Sequence, residues 1–207
     1  MTSIEMLREF KVGIDKIDSS SYPEIYDEQI FMFINRFITQ LVNAGRKVFE
    51  ESQVITDNLK SLIPNPPVRI TSTVNSEDPT LYNSDLEGLD YYFYIKSYAM
   101  TLIAGDITGK ATTKVTQLDD IEVVLQDPFN KPKNYKIPIT FARNTIIGYS
   151  DGRFQIPTLV LTYCKKPAVV DFNTNCDLDE QIHYSIVEGA IALAIQALGI
   201  NKQELND

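Results

Sequence analysis

Apolar residues in the first third of the chain recur at three- and four-residue intervals, the spacing of helices with a buried face. In "TSIEMLREFKVGIDKID", Ile4, Leu7, Ile14 and Ile17 follow that spacing with Lys11 among them, and Thr2 followed by Glu5 has capping-box spacing. This helix is expected to end at Ser19 to Ser21, ahead of Tyr22 and Pro23. A second is expected from near Asp27, with Ile30, Ile34, Phe37 and Leu41 on one line. Phe31, Ile38 and Val42 widen that line, and Met32 and Phe33 widen it further. A face so broad needs cover on more than one side, from the rest of the fold or from a neighbouring subunit. A third helix over 49–63 groups Phe49, Gln53, Thr56 and Leu59 or Leu62, and "PNPP" at 64–67 stops it.

Beyond those prolines the period changes to two. "YYFYIKSYAMTLI" at 91–103, aromatic and β-branched, predicts a long strand, and "ATTKVTQ" at 111–117 its return partner. Asp151-Gly152, between "NTIIGYS" and "RFQIPTLVLTYCKK", suits a type I′ turn and predicts a hairpin of those two segments. "LDDIEVVLQDPFNKPKN" interrupts the β pattern with an N-cap at Asp119, a short helix over 119–126 and a Pro- and Asn-bearing loop, an insertion that should project from the sheet. A last helix at 177–199 opens on the Asp177 and Glu180 spacing and closes at Gly199. The expected fold is α+β in a single domain, 1–207. It comprises a helical part at 1–63, a mainly β part at 68–165 forming a central antiparallel sheet or sandwich, and the last helix packed back on the helical part.

Charge and composition narrow the functions. With 19 Lys plus Arg against 28 Asp plus Glu, the net charge of -9 has the wrong sign for gripping a polyphosphate. No stretch approaches the roughly 20 apolar residues of a membrane span, and "MTSIEMLREF" lacks the pattern of a signal peptide, so no membrane association and a cytosolic origin are expected. Cys164 and Cys176 read as reduced structural thiols. His183, the one histidine, shares a helix side with Val187, Ala190 or Ile191, and Ala194. It has no second histidine and no nucleophile motif to work with, so it reads as a packed helix residue. "AGDITGKATT" keeps Gly109 and Lys110 of a phosphate loop. Ala104 and Ala111 replace the other key positions and a β pattern follows, so a glycine turn between strands is expected. Asp119-Asp120, Asp177-Asp179 and Glu50-Glu51 match no ligand-loop or glycosidase spacing and read as caps or solvated faces. The tyrosines of "YYFY" read as core or interface packing.

Several stretches together resemble virion structural proteins of tailed bacteriophages, in particular ring or head-to-tail connector proteins of short-tailed, crAss-like phages infecting gut Bacteroidota. "YPEIYDEQIFMFINRFITQLV" is similar to that family's Tyr-Pro, Glu-Ile, Leu-Asn pattern, with Ile34-Asn35 in the last position. "FEESQVITDNLKSLI" resembles its Phe-Glu, Gln, Asp-x-Leu series, and "LDDIEVVLQDPFNKPKN" a recurrent short helix followed by an Asp-Pro-Phe-x-x-Pro loop. "LVLTYCKKPAVVDF" and "CDLDEQIHYSIVEGAIALAI" look like its strand, Tyr-x-x-x-Pro exit and terminal helix. The short tip "VNAGRKV" and residues 76–90 depart from the pattern.

The resemblance implies a non-enzymatic subunit without cofactor or metal, present in the virion and assembled in the bacterial host cytoplasm. It would form a homo-oligomeric, twelve-fold ring with the portal protein and other tail or ring proteins as neighbours. Genome DNA would leave through its channel without specific binding, and an acidic wall would not hold phosphate. The expected partner contacts are Asp127, Pro128 and Phe129 on the projecting loop, with Phe31 and Phe33 on the broad helix. A tail-tube or baseplate subunit is the alternative, and a carbohydrate-binding module using the tyrosine strand is a more distant one.

Overall fold

A computed structural model describes residues 1–15, 25–48, 57–103 and 106–197. The chain divides into two compact units, one of residues 1–62 and 166–207 and the other of residues 63–165.

The first unit is helical. Helix α1 spans Ser3–Asp15 and opens on the capping box read from the sequence: Thr2 N–H donates to Glu5 Oε2 (2.7 Å) and Glu5 N–H to Thr2 Oγ1 (3.2 Å). Its buried stripe is Met6, Leu7, Phe10 and Ile14, while Ile4 is exposed. The stripe thus turns toward Met6 and Phe10, which bury more apolar surface than Ile4 and Lys11 can. Ile17 and the expected stop at Ser19 to Ser21 lie outside the described residues. Helix α2 spans Asp27–Val48 and buries Ile30, Phe31, Phe33, Ile34, Ile38 and Val42, leaving Met32 on the surface. Of the expected third helix, Phe49, Gln53 and Thr56 lie outside the described residues; its described end is helical, α at 57–59 and 3-10 at Lys60–Leu62, and buries Leu59 and Leu62.

Residues 166–182 return alongside α2. The Asn35 side chain holds them as a strand neighbour would: its Nδ2 donates to the Val170 carbonyl (2.9 Å) and its Oδ1 accepts from Val170 N–H (2.8 Å). Phe31 packs edge-on against Phe172, with centroids 5.0 Å apart. A 3-10 turn at Glu180–Ile182 then leads into the final helix, α4, at His183–Ala197. The Asp177–Glu180 capping box does not form there. Asp179 caps the turn by accepting from Gln181 N–H (2.9 Å), while the Asp177 carboxylate accepts from Ala168 N–H (3.2 Å). Helix α4 meets α1 at Gly13 and Ile191, and α2 at Gly189 and Phe37. Gly199 lies outside the described residues.

The second unit corrects the open sheet or sandwich expected from the sequence: its seven strands close into a barrel. The strands are β1 Val68–Val74, β2 Leu81–Asp85, β3 Tyr91–Ile103, β4 Asp106–Val115, β5 Lys136–Ala142, β6 Thr145–Tyr149 and β7 Gln155–Lys165, in the order β1-β2-β6-β5-β4-β3-β7. Closure runs through β7, whose Val160 and Leu161 pair with Arg69 and Val68 on one side and with Tyr98 and Ser97 on the other. A strand long enough to hydrogen-bond along both edges leaves no open edge. Ile137, Ile139, Ile146, Ile156, Leu159 and Leu161 pack the barrel core, and the facing Ala99 and Ala111 are buried with them.

The hairpin expected across Asp151-Gly152 is also corrected. Gly152 has the anticipated positive φ of 81°, yet β6 lies between β2 and β5, and β7 between β1 and β3. Both edges of β6 are already occupied, so the turn hands the chain to another part of the barrel instead of folding it back. A two-residue turn does make a hairpin at Arg143-Asn144, joining β5 to β6 with Ala142 opposite Thr145 and Arg143 at φ 53°.

The sheet is not wholly antiparallel either, because β4 and β5 run parallel, Thr112 pairing with Lys136 and Val115 with Ile139. Parallel neighbours need a long crossover, usually through a helix. The segment expected to project as an insertion is that crossover. It holds a 3-10 turn at Leu118–Asp120 and helix α3 at Ile121–Gln126. No side chain caps either element, so the N-cap expected at Asp119 is absent.

Candidate assembly surface

The crossover between β4 and β5 displays Phe129 at its apex, 82% exposed. The ring is displayed on a braced loop. Asp127 accepts from the N–H of Phe129 (2.9 Å) and from Asn130 Nδ2 (2.6 Å), and Asn130 Oδ1 accepts from Lys136 Nζ (3.0 Å). Further along, Thr101 Oγ1 donates to the Asn134 carbonyl (3.1 Å) and Thr112 Oγ1 to the Tyr135 carbonyl (3.0 Å), tying the descending limb to β3 and β4. The Phe129 N–H and the Asn130 amide hold the Asp127 carboxyl below the usual carboxylate range, so the brace is set at neutral pH. Such local side-chain-to-backbone bonds explain why the sequence turns here: Asp and Asn cap their own loops, and Pro128 fixes φ directly after the capping residue.

Of the five residues expected to meet partners, Pro128 and Phe129 are exposed and Asp127 is partly buried beneath them as their brace. Phe31 and Phe33 lie in the other unit, where they are 5% and 7% exposed. Their own chain covers them, Phe172 supplying the cover for Phe31. The sequence reading missed three further exposed apolar groups in the same crossover, Leu118, Val123 and Tyr135. A signal was present: apolar residues in a stretch that keeps neither period two nor a sustained helical period have no core face to join.

The remaining candidates for chemistry are structurally occupied. His183 is 2% exposed, its Nε2–H donates to the Leu178 carbonyl (3.0 Å), and Nδ1 lies 3.0 Å from the amino-terminal nitrogen. Lys110 stands 4.8 Å over the Tyr98 ring, and Gly109, at φ 134°, sits beside a register shift opposite Thr101. The segment does join two antiparallel strands, with Ile103 of β3 opposite Asp106 of β4, while Gly109 itself belongs to a bulge within β4. Asp119 and Asp120 are solvated, and Glu50 and Glu51 lie outside the described residues. Cys164 is buried and Cys176 is partly so, its thiol pushed up by burial, and neither forms a disulfide. Tyr91 and Tyr94 both pack on Phe141, with centroids at 6.5 and 5.3 Å, because register shifts along β3 prevent simple alternation of its tyrosines. Among the described residues, no three His, Cys, Asp or Glu side chains converge as metal ligands, and no helix is long and apolar enough to cross a membrane.

These features define an α+β protein with a closed barrel and a braced aromatic loop on its surface. Neither a protein-family model nor any curated protein matches the chain.

Proposed function

We propose that this chain is a structural subunit of a phage head-to-tail connector ring, placed between portal and tail around the DNA exit channel. The observation that carries the reading is the braced, exposed Phe129. An aromatic anchor fixed before binding loses little conformational freedom when a neighbour covers it. The resemblance of the same Asp-Pro-Phe segment to connector proteins supplies the class of neighbour, and the net charge of -9 suits a wall past which DNA slides. In this reading the subunit acts by contact with portal and ring proteins, needs no cofactor, and is a component of the virion.

Imaging of gradient-purified particles tests the proposal. The expected result is this subunit in a twelve-fold ring at the portal vertex, with particle yield reduced on Phe129→Ala. Its absence from mature particles overturns the proposal. Placement in the tail tube or baseplate, with another symmetry, replaces it with the alternative structural role.

A further inference from the structure

The crossover is divided by charge as well as exposing apolar groups. Its ascending limb carries Asp119, Asp120 and Glu122, all exposed, with no basic residue from Leu118 to Gln126. Its descending limb carries Lys131 and Lys133, with no acidic residue from Phe129 to Lys136. Between the two lies Phe129, held by the Asp127–Asn130–Lys136 chain of hydrogen bonds that also fixes one limb against the other. Among the described residues the ion pairs are Lys11 with Asp27 and the amino terminus with Glu180, so Asp119, Asp120, Glu122, Lys131 and Lys133 take part in none of them, though the Lys133 ammonium stands 5.8 Å over the Tyr135 ring and Lys136 draws on the Asp127 carboxylate. A surface with an acidic end, an apolar centre and a basic end is complementary to itself after a half-turn. That is the property an isologous contact requires, since each residue pairing then occurs twice.

We propose that the crossover docks a second copy of this chain across a two-fold axis, the acidic limb of each copy on the basic limb of the other, with the Phe129 rings between them. This goes beyond the connector reading and does not rest on it: the contact belongs to the free chain and involves no portal or tail protein, and because one Phe129 ring meets one neighbour at a time, the dimer parts before the loop docks in a ring. The two limbs give the contact its orientation and register, while Phe129 supplies the desolvated centre. A net charge of -9 makes copies repel on average, which favours an orientation where opposite charges meet.

The test is analytical ultracentrifugation of the full-length chain up to about 100 µM, with two charge-reversed variants, Asp119→Lys/Asp120→Lys and Lys131→Glu/Lys133→Glu. The wild type should sediment as a dimer. Each variant alone should bind itself at least about tenfold more weakly, since each reversal sets like charges opposite one another. An equimolar mixture of the two should dimerise again, because one variant presents two basic limbs and the other two acidic limbs. Phe129→Ser should weaken the wild-type dimer by a similar factor without changing the far-UV circular dichroism. A wild type that stays monomeric throughout overturns the proposal, as do variants that dimerise like the wild type or a mixture that stays monomeric. Particle imaging judges the connector role separately: a dimer from a chain absent from virions sinks that role alone, and a ring component that is monomeric in solution sinks this inference alone.

Discussion

Aspartate is the turn-building residue of this protein. Asp78, Asp85, Asp127, Asp151, Asp171 and Asp179 each accept a hydrogen bond from the backbone N–H two residues on. Part of the acidic surplus therefore folds the chain instead of facing a partner, a distinction that net charge alone does not reveal. The hydroxyl and N–H of Thr80 hold the Asp78 carboxyl below its ordinary range, and the N–H groups of Asn173 and Thr174 do the same for Asp171. For a carboxyl whose folded pKa is depressed, the stabilisation is complete above the unfolded value of about 3.9 and is lost as pH falls through the folded one. Replacing Asp127 with Ala should therefore lower the melting temperature at pH 7, and the gap to wild type should close as the pH drops below about 4. Thermal unfolding followed at pH 7, 4 and 2.5 checks this. A gap of constant size would mean that the Asp127 carboxylate is not what holds the loop.

At the level of elements, the contacts of α4 with its neighbours turn on two glycines of opposite character. A Cβ at Gly189 would overlap three atoms of the Phe37 ring, whereas at Gly13 it would meet mainly the Cδ1 methyl of Ile191, which can rotate away. Alanine gains about 1 kcal/mol over glycine in a helix, and forcing a rigid contact costs about 1–3 kcal/mol. Gly189→Ala should thus destabilise the helical unit by up to about 2 kcal/mol once the ring must move, while Gly13→Ala should leave it unchanged or up to about 1 kcal/mol more stable. Urea unfolding monitored at 222 nm separates the two cases. Equal losses for both variants would mean that the ring is no stiffer than the methyl. Periodicity and caps made most elements legible: the capping box at Thr2, the start of α2 at Asp27 and the whole of β3 could all be read from local pattern. The partners of a strand could not be read in this way. Asp151-Gly152 specifies a positive φ, and that conformation serves a barrel corner as well as a hairpin, so the local signal was correct and the pairing drawn from it was not. Strand β1 and the 76–90 region that includes β2 gave no clear reading, because short, largely polar strands acquire their face only from the neighbours they meet.

On the scale of the whole molecule, the sequence displayed the α and β classes but hid the barrel, since closure depends on pairs such as Val68 with Leu161 that lie most of a domain apart. The crossover surface was half legible. "DPFN" announced a projecting, Pro-bearing loop, whereas the brace that Asp127 supplies was not read, and the parallel pairing that makes it a crossover depends on β4 and β5 becoming neighbours. The barrel unit is one continuous stretch, 63–165, and its packed core from Ile70 to Tyr163 lies wholly inside it. Expressed alone, 63–165 should unfold in a single cooperative transition and give a dispersed amide spectrum, whereas a molten, non-cooperative fragment would show that its core is incomplete. The helical unit has the opposite construction: α1 and α2 come from one end of the sequence, and the α4 residues beside Gly13 and Phe37 come from the other. A ribosome delivers residues in order, so Phe10, Ile34 and their neighbours wait uncovered while the entire barrel is synthesised and can complete itself. The barrel is then the unit that matures first on the nascent chain, and the helices that precede it are the greasy surfaces a chaperone would shield until translation reaches Ile191.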